Sequence, residues 1–398
     1  MPTTDDTLYY DPYDPQIKMS PWATYRRMRD EAPLYYIEEH DAWALSRHAD
    51  VEQGLKDWQT YSSSRGDILE YVKSGVEFST GLVIFEDPPT HTMHRGLMAR
   101  VFSPKKVSAL EPEIRAYCRR VLDPLVGAGK FDFVQDIAME LPMRVIGMLL
   151  GIPESDQSMV RDNVFDSLRT EEGQPMKVVG DQAEQAEMFS EYIDWRAKNP
   201  SNDIMTDLLN ATFEDEHGVV RTLTRDELLT YVNVIASAGN ETTVRLIGWL
   251  GKVLADHPDQ RRAVVEDRSL VAATVDETLR YEPTGLHMAR YVMKDVEIHG
   301  TTVPAGSAML MLMGSANRDE RRFSNPDVYD VRRKDGAHIS FGFGIHFCLG
   351  AALARIEGRV TLDEVLNRFP EWEVDEDGIE WTSTSTVRGF ERLPVAVG

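Results

Sequence analysis

Ten residues near the C-terminus, FGFGIHFCLG at 341–350, constrain this chain more than any other stretch, because they set one cysteine inside a glycine-rich loop. Behind the loop, apolar residues recur at helical spacing through Leu349, Leu353 and Val360, which predicts a helix that begins beside Cys348. The unpaired N–H groups and the positive dipole end of a helix favour an anion there. We therefore expect a thiolate, the form of sulfur that binds metal.

Glycines surround this cysteine. Gly342, Gly344 and Gly350 lack the Cβ that would hold the backbone away from the sulfur or from a flat ligand. From the residues alone, other interpretations stay open, since most free cysteines are small buried apolar side chains. A zinc site needs several Cys or His at short spacings, and only His346 lies near; neither GxGxxG nor GxxxxGK[ST], the phosphate-binding patterns, occurs in this loop.

The pattern F-G-x-G-x-H-x-C-x-G resembles the haem-binding loop of cytochrome P-450 monooxygenases. The resemblance implies that Cys348 is the proximal thiolate ligand of the iron of haem b, within a cofactor-binding loop that includes Gly342 and Gly350. By the same resemblance, His346 lies near a haem propionate and Phe341 packs beside the sulfur.

The charge balance narrows the choice of partners. The 398 residues carry 43 Lys and Arg against 66 Asp and Glu, a net charge of −23, which argues against nucleic acid or an anionic membrane. Only two cysteines occur, and residues 1–15 show neither a basic segment nor an apolar one. We therefore expect a cytoplasmic protein without a membrane anchor. Cys118 belongs to no motif and is interpreted as structural.

The first half of the chain reads as short strands and successive helices. Ser20 as N-cap with Pro21 behind it predicts a helix to about Glu31, and LYYIE and AWALS predict a hairpin. In residues 60–86 the apolar side chains show no regular spacing, which is typical of a long functional loop or lid. Residues 105–213 read as amphipathic helices, and FEDEHGVVRT as an exposed turn or short hairpin.

A second motif lies in the helix after Pro88 and Pro89, where His91 and Arg95 share one face at i, i+4. A solvated basic face is the commoner arrangement of such a pair. The H-x-x-x-R spacing nevertheless resembles a cytochrome P-450 helix whose His and Arg both bind haem propionates. Residues 88–110 contain basic but no acidic side chains, and we expect this basic segment to steer an acidic electron-transfer partner.

The longest predicted helix follows a T-x-x-E capping box, Thr224 to Glu227, and meets no proline until Pro258. At 1.5 Å per residue it runs roughly 50 Å, close to the diameter of about 55 Å expected of a compact chain of this length. It should therefore cross the molecule. Its middle, residues 237–243, reads SAGNETT, and a central glycine and a buried glutamate are both unfavourable there.

A structural explanation is that Gly239 permits close helix packing and that Glu241 meets an arginine. A-G-x-[ED]-T-T also resembles the oxygen-binding segment of cytochrome P-450 enzymes, where the helix is distorted over the distal haem face. The resemblance places Ala238, Gly239 and Thr242 beside the haem, with Gly239 leaving room for dioxygen. It makes Thr242 and Glu241 the catalytic pair, Thr242 as hydrogen-bond donor and Glu241 as the carrier of protons from solvent.

Further matches follow in the order of the family. Glu277 and Arg280 form an E-x-x-R pair. This common pattern is informative here because it lies between the SAGNETT segment and the FGFGIHFCLG loop. By the family pattern, Arg332 completes this structural ion network and Arg290 meets a haem propionate.

The resemblance also predicts a distal substrate pocket that is mostly apolar and suits a lipophilic molecule. Two roles are open for His287, the orientation of a substrate oxygen or the satisfaction of a propionate or backbone carbonyl. The predicted lining residues are Leu82, Val83, Ile84, Ala238, Leu286, His287, Thr386 and Val387.

The resemblance covers nearly the whole chain and implies one mainly α domain, residues 1–398, with the triangular, prism-like cytochrome P-450 fold and small β-sheets. The haem lies between the central helix and the helix after Cys348. We expect a monomeric monooxygenase that inserts one atom of O2 into a terpenoid, steroid or fatty-acyl substrate, with electrons from a ferredoxin and its NAD(P)H-dependent reductase. A peroxide-driven peroxygenase, a non-oxygenating haem enzyme and a haem sensor without turnover are the alternatives.

Overall fold

The computed structural model describes residues 7–78, 81–177, 183–215 and 217–398. The helices in these ranges are α1 Pro15–Met19, α2 Trp22–Glu31, α3 His48–Lys56, α4 Leu69–Ser74, α5 Thr90–Val101, α6 Pro104–Ala109, α7 Glu111–Leu122, α8 Leu141–Leu150, α9 Glu154–Leu168, α10 Ala183–Lys198, α11 Ile204–Asn210, α12 Arg225–Ala238, α13 Glu241–Asp256, α14 Pro258–Glu266, α15 Val271–Tyr281, α16 Met313–Ala316 and α17 Ala351–Arg368. None of these described helices combines the length and apolar composition that a membrane crossing requires.

The strands of the same ranges are short. They are β1 Leu34–Ile37, β2 Ala42–Leu45, β3 Tyr61–Ser62, β4 Lys130–Asp132, β5 Thr212–Glu214, β6 Val220–Thr222, β7 Met288–Val292, β8 Val296–Ile298, β9 Thr301–Val303, β10 Ala308–Met311, β11 Trp372–Val374, β12 Glu380–Trp381, β13 Phe390–Arg392 and β14 Pro394–Val397. The mainly α fold with a small β portion that the sequence predicts is confirmed.

The predicted N-terminal hairpin is confirmed and forms the edge of the largest sheet. β1 pairs antiparallel with β2, with Leu34 opposite Leu45, and β2 pairs parallel with β10. The strand order is β1-β2-β10-β7-β3. A second sheet has the order β11-β14-β4, and the remaining strands pair as β12-β13, β5-β6 and β8-β9. The β5-β6 pair is the hairpin predicted at FEDEHGVVRT.

One local prediction, the start of the first long helix, needs correction. Pro21 stands at the N-cap of α2 in place of Ser20, and no side chain caps that helix. A separate helix, α1, precedes it, because Asp14 accepts the N–H groups of Gln16 and Ile17. Asp14-Pro15 is the same cap-and-proline signal as Ser20-Pro21, so the signal starts a helix one element earlier.

Residues 60–86 contain more structure than a long irregular loop, although residues 79 and 80 lie outside the described ranges. β3, α4 and a 3-10 turn, Val83–Phe85, occupy parts of the segment. Three aromatic rings hold it together, with centroids 5.2 Å apart for Tyr71 and Phe78 and 4.2 Å for Phe78 and Phe85. Contacts of this kind between aromatic rings stabilise a segment that has little regular hydrogen bonding.

The long central helix is present but divided. The predicted capping box is confirmed, since the Thr224 hydroxyl accepts the Glu227 N–H at 3.2 Å and the Glu227 carboxylate accepts the Thr224 N–H at 2.8 Å. α12 ends at Ala238 and α13 begins at Glu241. α13 is buried along most of its length and packs against α8, α15, α17 and the π-helical segment 133–138. The main core is therefore built around α13.

The predicted E-x-x-R pair is confirmed, with a different third member. Arg280 donates from Nε to Glu277 at 2.8 Å, and both side chains are buried. Arg333, and not Arg332, completes the network, because Arg333 Nε lies 3.1 Å from Glu277 Oε1 while Arg332 is exposed. Both backbone N–H groups bond to Asp330, and this turn directs only the second arginine inward.

This correction can be tested with neighbouring substitutions. Arg333→Ala should lower the free energy of unfolding by about 2 kcal/mol, because it removes a cation from the buried Glu277 carboxylate. Arg332→Ala removes the same charge from an exposed position and should change stability by less than about 0.5 kcal/mol. Urea unfolding followed by circular dichroism measures both. Equal losses, or a larger loss for Arg332→Ala, would contradict the assignment.

Candidate active site

Residues 341–350 form a tight loop that holds Cys348 in front of α17. The Cys348 N–H donates to the Phe341 carbonyl oxygen at 2.8 Å and closes the loop. Gly342 and Gly344 have φ angles of +72° and +71°, which favour glycine. A Cβ on Gly344 would also lie 2.9 Å from the Leu55 carbonyl oxygen. The turn therefore requires glycine at both positions, as the sequence predicts.

Gly350 does not behave in the same way. Its φ is −81°, and the nearest atom to an added Cβ would be Cys348 Sγ at 3.9 Å, an ordinary contact. Neither backbone conformation nor crowding requires glycine here. What Gly350 contributes is its N–H group, which bonds to the sulfur.

The Cys348 sulfur lies in a mixed environment. Burial has the largest effect on the thiol and raises its pKa. Hydrogen bonds from the N–H groups of Gly350 and Ala351, and the charges of Arg95 and Arg355, lower the same pKa by less. The thiolate expected from the helix terminus alone is therefore not favoured by the protein groups, because an anion loses its hydration when it is buried. A coordinating cation reverses this balance, since a metal-bound thiol is deprotonated.

Four cation-capable side chains meet beside the loop. His91 and Arg95 come from α5, Arg290 from β7 and His346 from the loop itself, and the rings of the two histidines lie 4.4 Å apart. Burial and then the charges of Arg290, His91 and Arg95 lower the pKa of His346 to about 3. Burial and then Arg95 lower the pKa of His91. Each pKa would move the opposite way next to an anion.

Several nitrogen atoms of this cluster lack a protein acceptor. Within the described residues, both ring nitrogens of His91 and Nε2 of His346 are buried without a hydrogen-bond partner. Arg95 donates to the Phe347 carbonyl oxygen, and Arg290 to the Ala289 carbonyl oxygen at 2.7 Å. A group of buried donors beside a metal-binding sulfur fits a ligand that carries carboxylates, such as haem.

The interruption of the central helix lies at Gly239 and Asn240. A Cβ on Gly239 would lie 2.7 Å from Ile146 Cδ1, so glycine is required for the contact with α8. Close helix packing, the structural explanation of Gly239, is thus supported, and the missing Cβ points at α8. Asn240 is fully buried, and its amide lies 3.7 Å from Met143 Sδ.

Beside the interruption, two residues are accessible although their neighbours are buried. Ala238 and Thr242 are both exposed, whereas Asn240, Glu241 and Thr243 are buried, and the Thr242 hydroxyl donates to the Ala238 carbonyl oxygen at 2.9 Å. One turn of small, accessible residues inside the core leaves room for a flat cofactor against the helix pair. The predicted distal face is therefore compatible with these residues.

Glu241 is buried and paired. Arg245 Nη2 lies 3.1 Å from Glu241 Oε1, while Oε2 is buried without a partner among the described residues. Burial raises the pKa of Glu241, against the lowering effects of Arg245 and of Lys18. The arginine partner, which the sequence raised as one explanation of this glutamate, is confirmed by the structure. A carboxyl with one free oxygen and a raised pKa is suited to exchange protons.

The predicted pocket residues differ in their exposure. Leu286 is buried against Gly314, in a core cluster that includes Tyr25, and its place in the pocket stays a prediction. His287, one of the two polar residues in the predicted lining, is half-buried. Burial lowers its pKa to about 4. Of the others, Leu82, Val83 and Val387 are buried, Thr386 is half-buried, and Ile84 and Ala238 are exposed.

Three contributors escaped the sequence interpretation. The backbone oxygen of Glu86 accepts a hydrogen bond from His346 and fixes that ring, and Glu86 also bonds His94 at 2.8 Å. Arg388 donates its N–H to Thr284 at 2.6 Å and joins the two segments that carry His287 and Thr386. Lys18 acts on Glu241 from α1. No spacing in the sequence connects these positions to their partners.

Taken together, the fold and the site define a haem-thiolate enzyme. Cys348 supplies the sulfur, the four cation-capable side chains fit propionates, and the accessible Ala238 and Thr242 leave room for a flat cofactor. The cofactor that these residues fit is haem b.

Comparisons with known proteins agree. The family model for cytochrome P-450 matches residues 156–395. Cytochrome P-450 123 of Mycobacterium tuberculosis is 37% identical over 398 residues, covering 99% of this chain and 98% of the relative. A vitamin D(3) 25-hydroxylase of Pseudonocardia autotrophica is 32% identical, covering 100% and 98%. The solved structure of CYP109Q5 from Chondromyces apiculatus covers 98% of both chains with a TM-score of 0.85 and 32% identity. The chain belongs to the cytochrome P-450 family, whose members are monooxygenases.

The propionate role of Arg95 can be tested by haem retention. Arg95→Leu should raise the rate of haem transfer to apomyoglobin about tenfold, since a charge-assisted hydrogen bond contributes about 1.5 kcal/mol or more. Arg100→Leu removes an exposed arginine from the same helix and should leave the rate unchanged. The transfer is followed by absorbance at fixed pH. Equal rates for both variants would remove Arg95 from the cofactor site.

Proposed function

We propose that this protein inserts one atom of O2 into a C–H bond or a double bond of a lipophilic substrate that carries one hydroxyl or keto oxygen. The observation that carries the proposal is the glycine-rich loop that holds Cys348 beside a cluster of cation-capable side chains with unpartnered ring nitrogens. When bound, the haem supplies the dioxygen chemistry, and a thiolate ligand favours O–O cleavage over reversible oxygen storage. The protein's own residues supply orientation, exclusion of water and protons.

Glu241 and Thr242 are the proposed proton carriers. The buried Glu241 carboxyl has one oxygen without a protein partner, and its pKa is raised by burial. Thr242 is the next residue, and its hydroxyl is accessible. Glu241 takes up a proton from solvent, passes it toward the Thr242 side of the site and returns to the carboxylate, so no net charge is left behind.

The proposed substrate class follows from the predicted pocket residues. Leu82, Val83 and Val387 are apolar, which favours a terpenoid, steroid or fatty-acyl body. His287 is neutral at pH 7, because burial lowers its pKa to about 4, and its Nδ1 is buried without a described partner. A neutral imidazole can bind a hydroxyl or keto oxygen. The relative described as a vitamin D(3) 25-hydroxylase supports a steroid-like molecule of this kind.

A ferredoxin with an NAD(P)H-dependent reductase is the proposed electron source for this cytoplasmic, monomeric enzyme. Phe347, next to Cys348, is 41% exposed, and Arg95 of α5 donates to its carbonyl oxygen. The basic segment continues on α6 with Lys105 and Lys106. Lys105 is exposed, whereas Lys106 is paired with Asp207, so the positive surface is smaller than the sequence suggests. An exposed aromatic ring within a positive surface suits an acidic redox protein.

Substrate and electron source are tested together. Neutral steroids and terpenoids with one oxygen function should give a type I spectral change and a monooxygenated product with NAD(P)H, ferredoxin and reductase. The rate should fall with rising ionic strength, because salt screens the docking charges. Turnover with hydrogen peroxide alone would favour a peroxygenase, and a complete lack of spectral change and product would favour a sensor.

The proton role is tested by the fraction of NAD(P)H electrons recovered in product. Thr242→Val should lower this coupling about tenfold or more, because it removes a hydroxyl from the proton path. Substrate affinity in the spectral titration should stay unchanged. Thr243→Val is the matched control, since Thr243 is the adjacent buried threonine and should keep wild-type coupling. Equal coupling in both variants would contradict the assignment of Thr242.

A further inference from the structure

Residues 81–86 form a closed loop that lies against the first turn of α12. The Gly81 N–H donates to the Glu86 carboxylate at 2.7 Å, so the side chain at the end of the loop holds its beginning. The φ of Gly81 is +101°, and a Cβ there would lie 3.5 Å from Glu227 Cγ. The conformation of this loop therefore depends on one carboxylate.

The loop contains three of the predicted pocket residues. Leu82 and Val83 are buried, whereas Ile84 is exposed. The Leu82 carbonyl oxygen accepts the Phe85 N–H at 2.7 Å, which closes the 3-10 turn through these residues. Because the backbone of a short turn decides which of its side chains are buried, a change in the conformation of this loop alters the shape of the predicted pocket.

The Glu86 carboxylate is bound by α5 as well. Nδ1 of His94 lies 2.8 Å from both carboxylate oxygens, and the two side chains are buried. In the part of the chain that the structure describes, Nε2 of His94 has no hydrogen-bond partner, so the hydrogen bonding of this ring is directed at Glu86. Edge-to-face contacts with Phe213 and Tyr231, at centroid distances of 5.9 Å and 5.8 Å, hold the ring in place.

The Glu86–His94 pair joins the loop to the residues that fit the haem. His94 lies on α5 between His91 and Arg95, and the Glu86 backbone oxygen accepts a hydrogen bond from His346. A buried ion pair contributes little stability beyond that of apolar side chains of the same volume, but it can fix one conformation. The place of this pair therefore favours a role in setting the shape of the pocket.

We propose that the Glu86–His94 pair holds residues 81–86 as an ordered wall of the distal pocket, and that this wall determines the affinity for bulky ligands. The proposal rests on the proposed function, because the pocket is the one predicted for the lipophilic substrate. Glu86 and His94 act through the loop and are therefore positioning residues. A bulky ligand gains more from an ordered wall, since a mobile loop loses conformational entropy when the ligand binds.

The first experiment is a spectral titration of the ferric holoenzyme with two azoles. Imidazole is small and binds the iron alone, whereas clotrimazole is bulky and also fills the pocket. Glu86→Gln should raise the Kd of clotrimazole about tenfold, because a neutral amide forms weaker hydrogen bonds than a carboxylate. The same variant should keep the Kd of imidazole within about twofold of wild type, because imidazole does not touch the wall.

The matched control is Glu77→Gln, which removes the same charge from an exposed position four residues before Gly81. Both Kd values should stay at the wild-type level in this variant. An equal rise for both azoles in Glu86→Gln would overturn the proposal. A clotrimazole Kd that is unchanged or lower in Glu86→Gln would overturn it too.

A double-variant cycle tests whether the two residues act as a pair. His94→Phe keeps a ring against Phe213 and Tyr231 but cannot donate to Glu86. It should raise the clotrimazole Kd by a similar factor, and its combination with Glu86→Gln should bind no more weakly than either single variant. Effects that add in full would mean that the residues act independently, which would overturn the pair.

Hydrogen–deuterium exchange of the ferric holoenzyme tests the loop without substrate or turnover. Peptides that cover residues 81–86 should exchange about tenfold faster in Glu86→Gln than in wild type, because the loop opens more often. They should keep the wild-type rate in Glu77→Gln, and peptides of α17 should keep it in both variants.

The outcomes separate this proposal from the proposed function. Faster exchange of residues 81–86 in a protein that forms no monooxygenated product would preserve the role of Glu86 and overturn the proposed function. Unchanged exchange of residues 81–86 in Glu86→Gln would overturn the role of Glu86, whatever the turnover. Faster exchange in α17 as well would indicate a general loss of stability and would overturn the positioning role.

Discussion

The structure depends on the placement of one buried sulfur that the protein alone does not hold as an anion. Burial raises the pKa of the Cys348 thiol, although two backbone N–H groups and the charges of Arg95 and Arg355 act against it. The protein groups thus stabilise the thiolate only in part, and a bound metal ion supplies the rest of the stabilising positive charge. The same imbalance recurs at the cation cluster, where both ring nitrogens of His91 and Nε2 of His346 are buried without a hydrogen-bond partner among the described residues. Both features are explained by one anionic, iron-containing ligand.

The accessible turn at Ala238 and Thr242 depends on an interruption of the helix between α12 and α13. α12 and α13 form one predicted helix that local residues interrupt, because Gly239 is pressed against Ile146 and Asn240 is buried with an unpartnered side-chain oxygen. The interruption makes Ala238 and Thr242 accessible inside an otherwise closed core. It also starts α13 at Glu241, with Arg245 one turn later. Packing and accessibility are therefore coupled within residues 238–245, which also hold the two proposed proton carriers.

Features that depend on residues close together in the chain can be predicted from the sequence. Features that depend on contacts between distant residues cannot. The capping box of Thr224, the N-terminal hairpin and the E-x-x-R pair depend on neighbours in the chain, and all three are confirmed. The ion partner of Glu277 was displaced by one residue to Arg333, because a match of patterns does not tell which of two adjacent arginines a turn directs inward. The burial of Leu286 against Gly314 could not be predicted for a similar reason, since only the fold brings the two residues together.

The two basic residues that act on Glu241 show the same difference between near and distant partners. Its arginine partner lies at helical spacing and could be anticipated, whereas Lys18 lies more than two hundred positions away on a five-residue helix. Only the joint packing of α1, α13 and the C-terminal strands brings it near. The pKa of Glu241 is thus lowered in part by a segment that carries no recognisable motif.

The most direct test of the account is the absorption spectrum of the reduced holoenzyme exposed to carbon monoxide. The wild-type protein and a Cys118→Ala variant should both show the red-displaced band of thiolate-bound haem, and Cys348→Ala should lose it. A wild-type protein without that band, or a Cys348→Ala variant that retains it, would contradict the assignment of Cys348 as the iron ligand.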